Sequence, residues 1–124
     1  MNYDVIIIGA GPAGIFTALE LIKKQSGKKI LMIEKGKPVD RRHCPKAEVG
    51  YCVQCKPNCA ITTGFSGAGA FSDGKLSLSR EVGGDFPSLV GEDFAQELID
   101  YTDKIYLEFG ADTKVEGIYE GDEI

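Results

Sequence analysis

Three glycines near the start of the chain have the spacing of a phosphate-binding turn. Gly9, Gly11 and Gly14 follow an apolar β-branched run in the pattern G-x-G-x-x-G, and a helical pattern begins at once. The first glycine of this motif permits a tight turn, the second lets a pyrophosphate approach the backbone, and the third lets the helix pack on the strand. We expect this first glycine loop, residues 9–14 with Pro12 and Ala13, to bind a dinucleotide through the positive end of the helix.

An acidic residue stands where a dinucleotide site needs one. Glu34 follows Gly14 by twenty positions, at the end of a second apolar run. Its carboxylate is expected to accept hydrogen bonds from the adenosine ribose, and its charge would repel a 2′-phosphate. The adjacent Lys35 belongs to a basic stretch between Lys23 and Arg42. This stretch could help to hold an anionic cofactor, although solvated lysines explain most of it.

A second glycine loop, residues 64–76, is also a candidate for ligand contact. Gly67 and Gly69 permit close backbone approach, and consecutive N–H groups there could form an anion nest. The hydroxyls of Ser66 and Ser72 could donate to a phosphate or to a flavin edge. A flexible surface loop is the alternative, but Ala68 and two phenylalanines make the segment too apolar for a solvated linker.

All four cysteines fall within sixteen residues, at Cys44, Cys52, Cys55 and Cys59. Converging thiolates are what a Zn²⁺ ion or an iron–sulfur cluster requires, and His43 could replace one of them. The spacing matches neither a paired C-x2-C zinc site nor the bacterial ferredoxin run. The sequence therefore leaves three interpretations open. The cysteines could form a metal or cluster site, form a redox dithiol near a cofactor, or be ordinary reduced cysteines.

The elements that position these residues follow from the hydrophobic periodicity. Residues 3–34 predict a βαβ unit whose first strand, Val5–Ile8, is buried on both faces as in a parallel sheet. Residues 35–86 lack a clean period and are rich in Gly, Pro and Cys. A helix is expected at about residues 91–109, and a short strand at residues 115–119.

The number of strands indicates an incomplete domain. A dinucleotide-binding sheet normally has five or six parallel strands, whereas this sequence supplies two convincing ones. The expected fold class is α/β, a Rossmann-like FAD/NAD(P)-binding parallel sheet of which residues 1–124 form only a part. We expect a fragment, a truncated reading frame, or one piece of a larger assembly.

The bulk composition narrows the range of partners. The chain has 124 residues, of which 43% are hydrophobic, so it should fold around one modest core. Its net charge of −5 argues against a nucleic-acid partner, and 13 of its 19 acidic residues lie between Glu81 and Glu123. The short apolar runs argue against a membrane partner, and a cytoplasmic location is expected.

Three features together indicate a family. They are the run Val-Ile-Ile-Ile-Gly-Ala-Gly-Pro-Ala-Gly, Glu34, and Gly-Ala-Gly-Ala-Phe-Ser-Asp-Gly-Lys-Leu after a Cys-x2-Cys segment. With these features the chain resembles the N-terminal part of the FAD-dependent dehydrogenases, or NAD(FAD)-utilising dehydrogenases, which have a glutathione-reductase-like FAD-binding fold. The resemblance implies that the first glycine loop holds the FAD pyrophosphate, Glu34 the ribose, and residues 66–73 the region towards the isoalloxazine ring.

The resulting expectation is the FAD-binding N-terminal portion of a flavin-dependent oxidoreductase, inactive as an isolated fragment. The missing remainder of the flavoprotein would be a partner, and NAD(P)H a possible electron donor. Two alternatives are an NAD-dependent enzyme of the same fold and a non-catalytic fragment that binds Zn²⁺ or an iron–sulfur cluster through its cysteines. No residue qualifies as an acid, base or nucleophile on sequence grounds, so no catalytic residue is assigned.

Overall fold

A computed structural model describes residues 2–115 of the chain. These residues form two compact units, one reaching to Gly74 and one starting at Lys75. Apart from Val115, the strand expected at residues 115–119 lies outside the described residues. The elements are β1 (Val5–Ile8), α1 (Pro12–Lys23), β2 (Ile30–Ile33) and α2 (Lys46–Val49) in the first unit, then α3 (Phe86–Val90) and α4 (Glu92–Glu108) in the second.

The first unit is built on the expected βαβ arrangement. Strands β1 and β2 pair in parallel, with Val5 opposite Ile30 and Ile8 opposite Ile33. Helix α1 connects them and begins at Pro12, directly after Gly11 as its N-cap. Proline suits this first helical position because its fixed φ is helical and the missing N–H has no partner there. A two-stranded parallel sheet with helices is an incomplete α/β domain.

The expectation that β1 is buried on both faces is wrong. Ile7 is only 9% exposed, whereas its neighbours Ile6 and Ile8 are 57% and 87% exposed. Successive side chains of a strand point to opposite faces, so Ile6 and Ile8 share the uncovered face. The sequence predicts a central strand because β1 is apolar throughout. In the described residues, however, only the face of β1 that carries Ile7 is covered by other parts of the chain.

The region after β2 is more ordered than its sequence suggests. It contains the short helix α2 and two 3-10 helices, Val39–Arg41 and Ala68–Phe71. Lys37 and Gly64 form an isolated parallel bridge, which brings the start and the end of the cysteine-bearing stretch together. A Cβ built on Gly36 would lie 2.5 Å from the Cα of Gly64, so the two backbones touch at this point.

The second unit is a helical pair. Helix α3, which was not predicted, precedes α4, and Gly91 is its C-cap. The sequence places Phe94, Leu98, Tyr101 and Ile105 on one face of α4. Of these, Ile105 is buried, whereas Phe94 and Tyr101 are exposed. Ala95 and Ile105 are the fully buried side chains of this helix, so the buried face is centred one position away from Phe94.

In residues 2–115, no helix combines the length and the apolar character that crossing a bilayer requires.

Candidate functional site

The first glycine loop has the backbone that its spacing predicts. Gly9 has a φ of +100°, and its N–H donates to the carbonyl oxygen of Ile33 at 2.7 Å. A Cβ on Gly14 would lie 2.1 Å from the carbonyl oxygen of Gly9 and 3.2 Å from Cγ2 of Ile7. Only glycine therefore allows α1 to pack this closely against the end of β1.

Gly11 has a different surrounding. Its φ of −78° is open to any residue, and a Cβ at this position would meet no atom within 4 Å. The space beside the start of α1 is thus free, and no side chain caps this helix end. Uncapped N–H groups at the positive end of a helix, next to open space, fit a phosphate group.

Glu34 lies beside the first glycine loop and bonds to its backbone. Its Oε2 accepts from the N–H of Ala10 at 2.9 Å, and its Oε1 accepts from the N–H of Gly36 at 2.8 Å. These two bonds lower the pKa of Glu34, with smaller contributions from the charges of Lys35 and Arg42. An ionised carboxylate has about four acceptor positions, so each oxygen keeps one for a further donor such as a ribose hydroxyl.

The second glycine loop lies against the first. The N–H of Ser66 donates to the carbonyl oxygen of Ala10 at 2.8 Å, with Ser66 held at a φ of +70°. A Cβ on Gly67 would lie 3.3 Å from Cδ of Pro12 and 3.5 Å from the Cα of Gly11. The fold therefore brings together the two glycine-rich segments that the sequence singled out more than fifty residues apart.

The remaining predicted residues of the second glycine loop follow this contact. Ala68 and Gly69 belong to the 3-10 helix Ala68–Phe71. The hydroxyl of Ser72 donates to the carbonyl oxygen of Gly69 at 2.9 Å and accepts from the N–H of Gly74 at 3.2 Å. The hydroxyl hydrogen of Ser72 is used within this turn, and the contact of Ser72 with a phosphate stays a prediction.

A buried arginine, Arg42, organises the second glycine loop and was missed at the sequence level. Its side chain donates to the carbonyl oxygens of Ala60 at 2.7 Å, Phe65 at 2.6 Å and Gly67 at 2.8 Å, and also to that of Ile61. The residue is only 5% exposed. In the sequence Arg42 was one member of a basic stretch read as solvated, and nothing in its spacing distinguishes it.

The four cysteines line one cavity of about 160 Å³ within the first unit. All four are free thiols. Among the described residues, however, no three His, Cys, Asp or Glu side chains form a group that could hold a metal ion. His43 bonds instead to Glu48 through its Nε2, at 3.0 Å from Oε1. The geometry thus gathers the thiols but does not support the predicted zinc or iron–sulfur site.

Cys59 differs from the other three thiols. The backbone N–H of Thr62, that of Ile61 and the Thr62 hydroxyl lower the pKa of the Cys59 thiol, and the charge of Arg42 adds to this effect. The turn that places these donors is closed by the N–H of Thr63, which donates to the carbonyl oxygen of Cys59 at 3.0 Å. Cys59 is exposed, so its thiolate is accessible to reagents.

Comparison with known proteins agrees with this geometry. Residues 3–115 match the family described as pyridine nucleotide-disulphide oxidoreductase. An uncharacterized protein of Clostridium beijerinckii is 39% identical over 72 residues, which is 58% of this chain and 13% of that protein. The matched stretch is thus a small part of that relative's length. No solved structure matches the chain.

Proposed function

The chain belongs to the pyridine nucleotide-disulphide oxidoreductase family, and from that premise we propose that it is the FAD-binding N-terminal portion of a flavin-dependent oxidoreductase. The family binds FAD, NAD(P) or both through a Rossmann-like fold. The part of that fold described here, one βαβ unit with its phosphate-binding turn, is where such a fold holds the pyrophosphate of a dinucleotide.

One observation carries the proposal: the two glycine loops meet beside an uncapped helix end. A Cβ on Gly11 would meet no atom within 4 Å, so there is open space at the start of α1. Gly67 is close to the same residue, since a Cβ on Gly67 would lie 3.5 Å from the Cα of Gly11. Glu34 reaches the same loop through the N–H of Ala10. This arrangement offers N–H donors for phosphates and an ionised carboxylate for a ribose, which together match a dinucleotide better than either would alone.

FAD is favoured over NAD(P) as the resident cofactor by the second glycine loop. A nicotinamide dinucleotide site needs only the first loop, whereas here a second segment also contacts that loop, through Ser66 and Gly67. The flavin would supply the hydride and electron chemistry of the reaction. The residues of this chain would bind and orient it, with Gly9, Gly11 and Gly14 at the pyrophosphate and Glu34 at the ribose.

The NAD-dependent enzyme of the same fold stays as the second candidate, because the first glycine loop alone does not distinguish the two cofactors. For either cofactor, the substrate, the electron acceptor and the use of NAD(P)H as electron donor are properties of the whole protein rather than of this chain alone. The partner proposed for the chain is the remainder of such a flavoprotein, because β1 and β2 form only two strands of a sheet that normally has five or six.

A titration of the purified chain with FAD and, separately, with NAD⁺ tests the proposal, with flavin absorbance and fluorescence as the readouts. We expect saturable FAD binding that is weakened roughly tenfold or more in Glu34→Ala, because a charged acceptor for the ribose is lost. Glu34→Gln is the matched control, since it keeps an acceptor oxygen for the backbone and should lose less affinity.

Equal FAD affinity in the wild type and in Glu34→Ala would contradict the role given to Glu34. The absence of saturable FAD binding would contradict the proposed cofactor, and saturable binding of NAD⁺ alone would favour the second candidate.

A further inference from the structure

Arg42 is buried, and its guanidinium donates hydrogen bonds to backbone carbonyls rather than to a carboxylate. Its Nε donates to Ala60, its Nη1 to both Phe65 and Gly67, and its Nη2 to Ile61. Transferring a charged group out of water is costly unless hydrogen bonds replace its hydration. Four carbonyl acceptors on one planar fork provide this replacement, so the guanidinium and the backbone around it fix each other's positions.

The four carbonyls belong to two different stretches of chain. Ala60 and Ile61 lie in the turn that begins at Cys59, whereas Phe65 and Gly67 lie in the second glycine loop. The ring centroid of Phe71, in the same loop, lies 4.7 Å from the guanidinium carbon of Arg42, which adds a cation–π contact. One side chain therefore holds the cysteine turn and the second glycine loop in a single arrangement.

Each end of this arrangement touches a reactive or ligand-binding feature. At one end, Cys59 directly precedes Ala60 and Ile61, whose carbonyls bind Arg42, and its own carbonyl oxygen accepts from the N–H of Thr63 at 3.0 Å. At the other end, a Cβ on Gly67 would lie 3.3 Å from Cδ of Pro12 in the first glycine loop, so the two loops are close at this point. A displacement of the cysteine turn would move the carbonyls of Ala60 and Ile61. These bind the same guanidinium that binds the carbonyl of Gly67.

We propose that Arg42 is a positioning residue that fixes the second glycine loop against the first and couples the cysteine cavity to the dinucleotide-binding loops. The inference rests on the proposed function for its ligand, and it adds a means of regulation. A covalent group on Cys59 would displace the turn that contains Ala60 and Ile61, loosen the Arg42 contacts, and lower the affinity for the dinucleotide.

The first experiment attaches a small group at Cys59 and follows the glycine loops without any cofactor. In a variant that retains Cys59 as its one cysteine, iodoacetamide forms an S–C bond and releases iodide. A variant that retains only Cys52, an exposed thiol of the same cavity, is the matched control. Amide hydrogen exchange of Ser66 and Gly67 is measured by NMR before and after alkylation, because both N–H groups are hydrogen-bonded within this arrangement.

We expect alkylation of Cys59 to accelerate exchange at Ser66 and Gly67 roughly tenfold, and alkylation of Cys52 to leave it within about twofold. Unchanged exchange after complete alkylation of Cys59 would overturn the coupling. Equal acceleration by both thiols would overturn the assignment of the coupling to the Arg42 contacts, because Cys52 is not part of the turn that supplies them.

The second experiment replaces the guanidinium itself. Arg42→Lys keeps the charge but cannot form the fork of bonds to four carbonyls, so we expect the same loss of protection at Ser66 and a loss of FAD affinity of roughly tenfold. Once Arg42→Lys has uncoupled the two segments, alkylation of Cys59 should add little further change. An additive effect of the substitution and the alkylation would contradict a shared route.

The two proposals fail separately. If the chain shows the expected exchange changes but never binds FAD, the coupling stands and the proposed cofactor falls. If FAD binds with an affinity that neither Cys59 alkylation nor Arg42→Lys alters, the proposed function stands and the coupling falls.

Discussion

At the scale of single residues, the glycines of the first loop have different physical tasks. Gly14 is required by contact, because any side chain would collide with the backbone at Gly9. Gly11 has an ordinary φ and open surroundings, so the fold itself does not require glycine there. Under the proposed function, its missing side chain gives the pyrophosphate access to the backbone.

Substituting alanine at these two positions should separate folding from binding. Gly14→Ala is expected to destabilise the chain by about 2 kcal/mol or more, because α1 must move away from β1. Gly11→Ala should change stability by no more than about 1 kcal/mol while it reduces FAD affinity. Urea unfolding and flavin titration of both variants are the measurements, and a stable Gly14→Ala chain would contradict the packing argument.

The pKa of Glu34 has a consequence for stability at low pH. The backbone bonds from Ala10 and Gly36 favour the ionised form and lower the pKa below its ordinary value of 4.5. A group with a lowered folded-state pKa contributes stability above its unfolded-state pKa, and this contribution is lost as the pH falls through the folded-state pKa. We expect the urea midpoint of the wild type to exceed that of Glu34→Gln at pH 7 and the difference to shrink below pH 4.5. A difference that stays constant down to pH 3 would contradict the effect.

The residues that could be predicted from sequence are those whose partners are close in the chain or follow a fixed spacing. The glycine positions and Glu34 belong to this group, since a strand-to-helix turn constrains the glycines and the spacing of the dinucleotide motif fixes Glu34. Arg42 could not be predicted, because its acceptors lie 18 to 25 residues away in a stretch without period. Its environment is a product of the folded loop and leaves no pattern in the sequence.

At the scale of elements, the conformation of the second glycine loop depends on positive φ angles. Gly67 combines a φ of +64° with a ψ of −158°, a region that residues with a Cβ rarely adopt. Gly69, two positions later, has an ordinary φ and open space around it. The sequence predicted that this segment contacts a ligand, and the fold places its beginning, at Ser66 and Gly67, at the first glycine loop.

Alanine substitutions in the second glycine loop test this difference. Gly67→Ala is expected to cost about 1–3 kcal/mol of stability, through backbone strain and the tight contact with Pro12, and to weaken FAD binding. Gly69→Ala should be tolerated in both respects, since nothing crowds it. Thermal unfolding and flavin titration would decide, and equal behaviour of the two variants would contradict the assigned contact.

The predicted elements were accurate where the hydrophobic period is strong. Both strands and helix α1 lie where the sequence placed them, and α4 agrees with the helix expected at about residues 91–109. The short elements α2 and α3 were missed because four or five residues do not make a measurable period. The apolar face that the sequence indicates for α4 is only partly buried, since Phe94 is exposed and the small Ala95 is packed beside it.

At the scale of the whole molecule, the sheet presents apolar surface on one face. Ile8 is 87% exposed and Ile6, on the same face, is 57% exposed. Apolar strands of this composition belong to sheets covered on both sides, which agrees with the proposal that further parts of a flavoprotein complete the domain. This feature explains why the sequence predicted a central strand and the described residues show a half-covered one.

A polar substitution at this face should improve the behaviour of the isolated chain. Ile8→Thr keeps a β-branched side chain in the strand while it reduces the exposed apolar surface. We expect less self-association by light scattering and weaker binding of a hydrophobic dye, with an unchanged urea midpoint within about 1 kcal/mol. Ile7→Thr is the control, since Ile7 is buried and its substitution should destabilise the fold. Unaltered association of Ile8→Thr would show that this face does not drive it.

The bridge between Lys37 and Gly64 closes the intervening stretch into a loop whose two ends are adjacent. The entropic cost of closing such a loop grows only slowly with its length. Insertions or deletions at the exposed positions around Tyr51 would therefore leave both glycine loops in place, provided that Arg42 and its acceptors are kept. This makes the stretch a natural position for evolutionary change in length, and for grafting a reporter peptide into the chain.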